Sequence, residues 1–348
     1  MEGASSLTVL RERDFALFFW GQAVSVLGDG IFPIALAFAV LDLGGSPTDL
    51  GIVLIAGILP QTVFVLIGGV WADRLPRRTI MLASDLTRAL IQGVTAVLLL
   101  SGEARIWHLV VLYGLHATAS AFFMPASTAL VPQVTPQERL QEANALLGFT
   151  RSIASVAGPA LAGILIAIGG PGDAIAVDAV TFALSAACLI ALRPDRAPAV
   201  AGAEEHDGFA ARLRAGWREV RRRPWLASGL GAMAAYHVFV LPAVWILGPA
   251  LAASDLGGAS SWAIIVACFG LGTIAGNLLA LRLSIRRPVL VAAVALVGAA
   301  TQAVIIGSGL AWPGSRSSSS RPASRSRCSS RSGTRASRSR CRPPRSRA

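Results

Sequence analysis

Nine apolar stretches dominate this sequence, and each is long enough to cross the hydrocarbon core of a bilayer, which takes about 20 residues. They cover residues 15–41, 50–72, 79–100, 106–129, 143–168, 174–192, 225–250, 260–281 and 288–312. Because lipid offers no hydrogen-bond partner to free backbone groups, a segment that crosses it has to be helical. Only 14% of the residues are charged, against about 25% in soluble domains. The sequence therefore predicts an all-α polytopic membrane protein embedded in the lipid bilayer.

The arginines indicate how the chain is oriented, since lysine is absent. If the loops alternate from a cytoplasmic N-terminus, 17 of the 20 arginines before residue 313 fall on the cytoplasmic side. Arg105 falls on the other side, and Arg88 and Arg151 lie within helices. Cytoplasmic loops of membrane proteins are enriched in basic residues. We therefore expect a multi-pass protein of the inner or plasma membrane with a cytoplasmic N-terminus.

A long hydrophilic stretch divides the apolar runs into a group of six and a group of three. We expect an N-terminal six-helix half (1–193), a cytoplasmic linker (194–224), a partial C-terminal half of three helices (225–312) and a disordered Arg/Ser-rich tail (313–348). Within the linker, apolar residues recur at helical spacing among arginines, a pattern typical of an amphipathic helix on the inner leaflet. The alternative is a solvated linker whose arginines only hold the topology.

The gap between the second and third runs is very short and highly charged. It holds one glycine, one carboxylate and three arginines, namely Gly69, Asp73, Arg74, Arg77 and Arg78. The spacing Gly-x-x-x-Asp-Arg-x-x-Arg-Arg, at this position, resembles the signature loop of the major facilitator superfamily. Pro76 stands where the family usually has glycine. The resemblance implies two six-helix halves built from inverted repeats, so the sequence is expected to be C-terminally truncated. Whether it transports then depends on a second polypeptide that supplies the missing three helices.

Two further patterns resemble the drug, macrolide and siderophore exporters of the superfamily. The sixth run contains Asp178 in Asp-Ala-Val-Thr-Phe, and the fifth contains Gly158, Pro159 and Gly163 in a pattern similar to the family's antiporter motif. Generic packing of small residues is the alternative for the second pattern. The resemblance implies export of a small-molecule substrate by alternating access, with a proton as the coupling ion. The alternative is a nine-helix permease for another solute.

Charged residues inside the apolar runs are candidates for function, since each costs several kcal/mol in hydrocarbon unless it faces a cavity or a partner. Asp29 lies mid-helix between two glycines, which leave room for water or substrate, and it is the candidate for proton coupling or cation recognition. A structural ion pair with Arg88 or Arg151 is the alternative. Asp178 is expected near the outer surface, where a carboxylate is more often a helix-end cap than a proton carrier.

No catalytic or metal-binding constellation is found in the sequence. The four histidines lack metal-ligand spacing, and neither a phosphate-binding glycine loop nor a nucleophile elbow is present. The sequence therefore predicts a protein that is not an enzyme, without metal or cofactor, that draws on an ion gradient.

The tail after residue 313 holds 11 arginines and no acid. With nine crossings it would be exported, against the charge bias of the other loops. We expect a lost reading frame, because a GC-rich gene read out of frame yields mostly Arg, Ser, Pro and Ala codons. The alternative is a non-transporting membrane protein whose basic tail binds nucleic acid or acidic lipid. No aromatic residue interleaves the arginines to stack on bases, so nucleic acid is not an expected partner.

Resequencing the gene across the codons for residues 310–316 distinguishes these alternatives. A lost frame predicts that another frame downstream encodes three further apolar segments of about 20 residues each. If both other frames close quickly after a clean read, the tail is genuine and the lost-frame hypothesis is wrong.

Overall fold

The computed structural model describes residues 8–72, 75–193 and 209–282. In these ranges the helices are α1 (Arg13–Asp42), α2 (Pro47–Ala72), α3 (Arg77–Leu100), α4 (Ile106–Val134), α5 (Leu140–Gly169), α6 (Pro171–Ala191), α7 (Phe209–Arg222), α8 (Pro224–Ala235), α9 (Gly248–Asp255) and α10 (Ala259–Arg282). Short 3₁₀ turns, Thr8–Arg11 and Gln137–Arg139, precede α1 and α5.

Eight segments within the described ranges are long and apolar enough to cross a membrane. Large apolar side chains such as Leu90, Val97 and Ile168 are exposed on the outside of the helices, where hydrocarbon would surround them. This architecture confirms the predicted all-α polytopic class. The ninth predicted run, the tail and residues 194–208 of the linker lie outside the described residues.

The seventh run differs from the single regular helix expected from the sequence. After α8, two π turns, Tyr236–Val240 and Ala243–Leu247, lead into α9. Pro242 stands between these turns. Because proline has no backbone N–H and crowds the preceding turn, it disturbs the regular α-helical hydrogen-bond pattern, and wider turns are found where this pattern is interrupted.

Most helices that pack together are not consecutive in the chain. The main contacts join α2 to α4, α4 to α3, α3 to α6, α6 to α1, α1 to α5 and α5 to α10. Of the eight candidate membrane spans in the described residues, α1 has the largest buried share. This order of neighbours places α1, α3 and α6 side by side, so polar residues on these three helices can meet inside the bundle.

Two apolar clusters lie at opposite ends of α1. One is built around Phe15 and Phe18, with partners from α4 and α6, and the other begins at Ile31 and continues to Val40. The stretch of α1 between them contains the buried polar residues Gln22 and Ser25. The polar part of the interior is therefore enclosed by apolar packing at both ends.

Glycines bring the backbone of α1 close to both of its main neighbours. Gly30 lies against Gly158 of α5, and a Cβ atom built on Gly158 would be 2.6 Å from Gly30 Cα. Gly28 lies against the side chains of Thr181 and Asp178 in α6, so a methyl group there would collide with both. Small residues of this kind allow membrane helices to approach closely.

We expect Gly158→Ala to lower the free energy of unfolding by about 1–3 kcal/mol, because the added methyl group has no space against α1. The measurement is reversible unfolding of the purified, detergent-solubilised protein. Gly148→Ala is the matched control in the same helix, since nothing lies within 4 Å of a Cβ atom there. Alanine is the better helix former by about 0.5–1 kcal/mol, so the control should be neutral or slightly stabilised. Equal effects at both positions would contradict the close contact.

Candidate functional site

The guanidinium group of Arg88 lies at the centre of the buried polar cluster. Its side chain is only 2% exposed. Nη2 donates a hydrogen bond to Oδ1 of Asp85, one turn earlier in α3, and Nη1 lies 3.7 Å from Oδ1 of Asp29 in α1. The rings of Phe123 and Phe182 lie 4.3 Å and 4.1 Å from Cζ. Two carboxylates and two aromatic rings therefore offset the cost of burying this charge.

Asp178 lies two turns inside α6, because the helix begins at Pro171 rather than near residue 174. Its side chain is fully buried. Nε2 of Gln92 donates a hydrogen bond of 2.8 Å to Oδ2, and the Thr181 hydroxyl lies 3.4 Å from Oδ1. The expectation of a helix-end cap is therefore wrong: Asp178 belongs to the interior, and its carboxylate lies against Gly28, the residue before Asp29.

Asp29 is the member of the cluster that is open to its surroundings. Its side chain is 45% exposed, whereas that of Asp85 is 0% exposed. Every other residue of α1 from position 21 to position 41 is buried or half-buried. The glycines on either side were expected to leave room for water or substrate. They do not, because atoms of α5 and α6 occupy the space beside them. Their effect is to hold the Asp29 backbone in a fixed position between these helices.

Several buried polar atoms near this cluster have no hydrogen-bond partner within the described part of the protein. They include Ser25 Oγ, Arg88 Nε and His116 Nδ1. The His116 ring packs 4.9 Å from the ring of Phe32, measured between centroids, and 5.7 Å from that of Phe182. Buried polar groups normally have partners, so unpaired donors and acceptors beside a charged cluster are suited to bind water or a polar ligand.

The signature-loop residues are only partly described. Gly69 lies in the last turn of α2, and Arg77 is the first residue of α3, while Asp73 and Arg74 lie outside the described residues. Arg78 Nε and Nη2 donate hydrogen bonds of 2.6 Å and 2.7 Å to the carbonyl oxygens of Leu189 and Ile190.

These two carbonyl groups lie in the last turn of α6. A positive charge is favourable there, because helix C-termini carry unpaired carbonyl groups and partial negative charge. Arg78 thus joins the start of α3 to the end of α6.

The residues of the antiporter-like motif are buried between helices. Gly158 contacts α1, and Gly163 lies against Ala263 of α10. Arg151, one of the two arginines considered as a partner for Asp29, is instead exposed on α5. Among the described residues, the ion-pair partner of Asp29 is Arg88.

Sequence reasoning missed how α3 contributes to the site as a whole. Its buried polar residues share one face, while Leu86, Leu90, Val94 and Val97 are exposed on the other. The buried set comprises Ser84, Asp85, Arg88, Gln92 and Thr95. The recurrence of polar residues at intervals of three and four was the available signal, since this period places them on one side of a helix.

Membrane-crossing helices around a buried charged cluster define a polytopic α-helical membrane protein with a polar site inside its spanning region. Residues 18–319 match the sequence profile of the Major Facilitator Superfamily. The chain belongs to this family, as the signature loop predicted. Members of the family are transporters rather than enzymes.

Several curated relatives share part of the sequence. The MFS-type transporter YfiS of Bacillus subtilis is 30% identical over 60% of this chain and 49% of its own length. Macrolide efflux protein A of Streptococcus pyogenes is 29% identical over 47% of this chain and 40% of its own. The multidrug efflux pump Tap of Mycolicibacterium fortuitum is 29% identical over 66% of this chain and 56% of its own. The chain thus spans about half the length of the curated relatives it matches.

A solved structure has a similar fold. It is that of a bacterial homologue of the human lysosomal transporter Spinster, in an inward-facing and unoccupied conformation. The TM-score is 0.61 at 14% sequence identity, and the match covers 80% of this chain and 64% of that chain. At this identity the likeness concerns the fold alone.

We expect Arg88→Gln to lower the free energy of unfolding by about 3–5 kcal/mol, because it leaves the buried Asp85 carboxylate without its counter-charge. Unfolding of the purified protein measures the loss, and the double variant Asp85→Asn/Arg88→Gln should recover part of it, since no buried charge is then unpaired. Arg151→Gln is the control, because this arginine is exposed. If the effects of the two substitutions on the free energy of unfolding are additive, Asp85 and Arg88 do not stabilise each other as an ion pair.

Proposed function

We propose that this chain acts in secondary active transport, as a proton-coupled exporter of drugs or other small molecules. Membership of the superfamily and relatives named as efflux proteins support export. The region 1–193 forms one half of the transporter, and the region 225–312 belongs to the other half. The two halves rock about a central site, which opens to one side of the membrane at a time.

The observation that carries proton coupling is the imbalance of charge in the buried cluster. Asp29, Asp85 and Asp178 supply three carboxyl groups, and Arg88 supplies one guanidinium group. One arginine offsets a single negative charge, and further uncompensated charge in a low-dielectric interior is costly. Bound protons remove that cost, so the cluster is suited to take up and release protons as its surroundings change.

Asp29 is the group through which the cluster exchanges protons, because among the carboxylates of the described residues it alone combines exposure with a contact to Arg88. When Asp29 is ionised it attracts Arg88. When it is protonated this attraction is lost, and Arg88 stays with Asp85 on its own helix. Since Asp29 and Arg88 lie on different helices, protonation weakens a link between α1 and α3 inside the N-terminal half. Because α1 also contacts α9 and α10 of the other half, a change in the position of α1 biases the movement of the halves.

The chain has a fixed orientation in the membrane. We place the N-terminus and the signature loop in the cytoplasm, because this orientation puts 17 of the 20 arginines before residue 313 on the inner side. The location is the cell membrane. The partners are the lipid bilayer, the small-molecule substrate and the coupling proton.

Transport is tested in an efflux-deficient bacterium that expresses the full chain, with ethidium and erythromycin as probes. The wild-type chain should lower accumulation of at least one probe, and Asp29→Asn should restore accumulation to the level of cells without the chain, because the substituted group cannot release a proton. Glu103→Gln, in the exposed loop after α3, is the matched control and should keep wild-type efflux. No efflux of either probe by the wild-type chain, with the protein present in the membrane, would contradict export by this chain.

A second assay separates proton coupling from substrate binding. It measures the exchange of probe molecules between the inside and the outside of vesicles that contain the protein, with no proton gradient applied. If Asp29 carries only the proton, Asp29→Asn should retain exchange while gradient-driven transport is lost. If Asp29→Asn carries out gradient-driven transport at the wild-type rate, this carboxyl group is excluded as the coupling site.

A further inference from the structure

Helix α7 lies directly before a membrane-crossing segment. It ends at Arg222, a single residue, Arg223, has extended backbone angles (φ −115°, ψ 93°), and α8 begins at Pro224. The candidate span starts at Leu226. Four residues reach at most about 14 Å, so the end of α7 lies close to the membrane surface wherever the rest of the linker runs.

The sequence of α7 has one apolar face. Phe209, Leu213, Trp217 and Val220 recur at intervals of four, four and three residues, which places them on one side of a helix. Trp217 is 62% exposed, so the described part of the bundle does not cover it. Tryptophan is enriched where membranes meet water, because its ring is apolar and its N–H group is polar.

The remaining surface of α7 is strongly basic. Six arginines and one glutamate lie between residues 209 and 223. The carboxylate of that glutamate, Glu219, is 2.8 Å from Nη2 of Arg223, so the acid does not compensate the other arginines. The side chains of Arg214, Arg218, Arg221 and Arg222 are exposed. A partner that covers both faces has to be apolar on one side and anionic on the other.

From this geometry we propose that α7 lies in the plane of the leaflet from which α8 enters the membrane and binds anionic lipid headgroups there. Its apolar face is buried among the acyl chains, and its arginines contact the headgroups. An acidic protein or a nucleic acid also carries negative charge, but α8 holds α7 at the lipid surface whether or not such a partner is present. The proposal needs only the membrane-spanning fold and not the direction of transport.

The test is the depth of spin labels on the full chain in lipid nanodiscs, after Cys188, Cys268, Cys328 and Cys341 are replaced by serine. Val220→Cys and Arg218→Cys place labels two residues apart on nearly opposite faces of α7. With phosphatidylglycerol present, the ratio of collisions with oxygen to collisions with a nickel chelate should be several-fold higher at position 220 than at position 218, as for a face buried about 5–10 Å into the interface. In pure phosphatidylcholine or at high salt the difference should shrink.

A charge-deleted variant separates lipid binding from burial against protein. Replacing Arg214, Arg218, Arg221 and Arg222 by glutamine in the Val220→Cys chain should reduce the label's depth in anionic discs to the value found in phosphatidylcholine. The proposal is overturned if both labels collide with nickel as freely as in water. It is also overturned if position 220 is shielded from oxygen and nickel alike, which indicates protein contact, or if its depth is the same in both lipids.

Discussion

The burial of one guanidinium group determines much of the organisation of this protein. Arg88 lies in the interior of a membrane-spanning bundle, where an unpaired charge costs several kcal/mol. Its two carboxylate neighbours and two aromatic rings come from four different helices. Each of these helices therefore has to keep its position for the charge to remain stabilised, and the arginine joins the bundle's packing to its chemistry.

The glycine contacts of α1 make this arrangement possible. Gly28 against α6 and Gly30 against α5 allow backbone approach that larger residues would prevent. Asp29, between them, is held at a defined distance from Arg88 while its carboxylate stays exposed. The same small residues that pack the helices therefore position the group to which we assign proton exchange. Away from the cluster, Arg78 in the first turn of α3 donates hydrogen bonds to backbone carbonyl groups in the last turn of α6 and so joins these two helices.

Hydrophobic length predicted the helices well, because crossing a bilayer imposes a minimum run of apolar residues that is visible in the sequence. The first run, 15–41, closely matches Arg13–Asp42, and the signature loop predicted the family. The partners of the charged residues were not predictable in the same way. Whether Asp29 meets Arg88 or Arg151 depends on which helices are neighbours, and hydropathy does not encode that order. The depth of Asp178 was also predicted wrongly. Hydropathy showed where the apolar run begins, at residue 174, but α6 begins earlier, at Pro171.

The central claim is that the cluster exchanges a proton at Asp29, and infrared spectroscopy of the reconstituted chain tests it without knowledge of the substrate. Difference spectra between acidic and alkaline buffer should contain a protonated-carboxyl band, and Asp29→Asn should remove part of that band. An unchanged band in Asp29→Asn, in a variant that is folded and present in the membrane at wild-type amount, would show that Asp29 does not exchange a proton and would contradict the account.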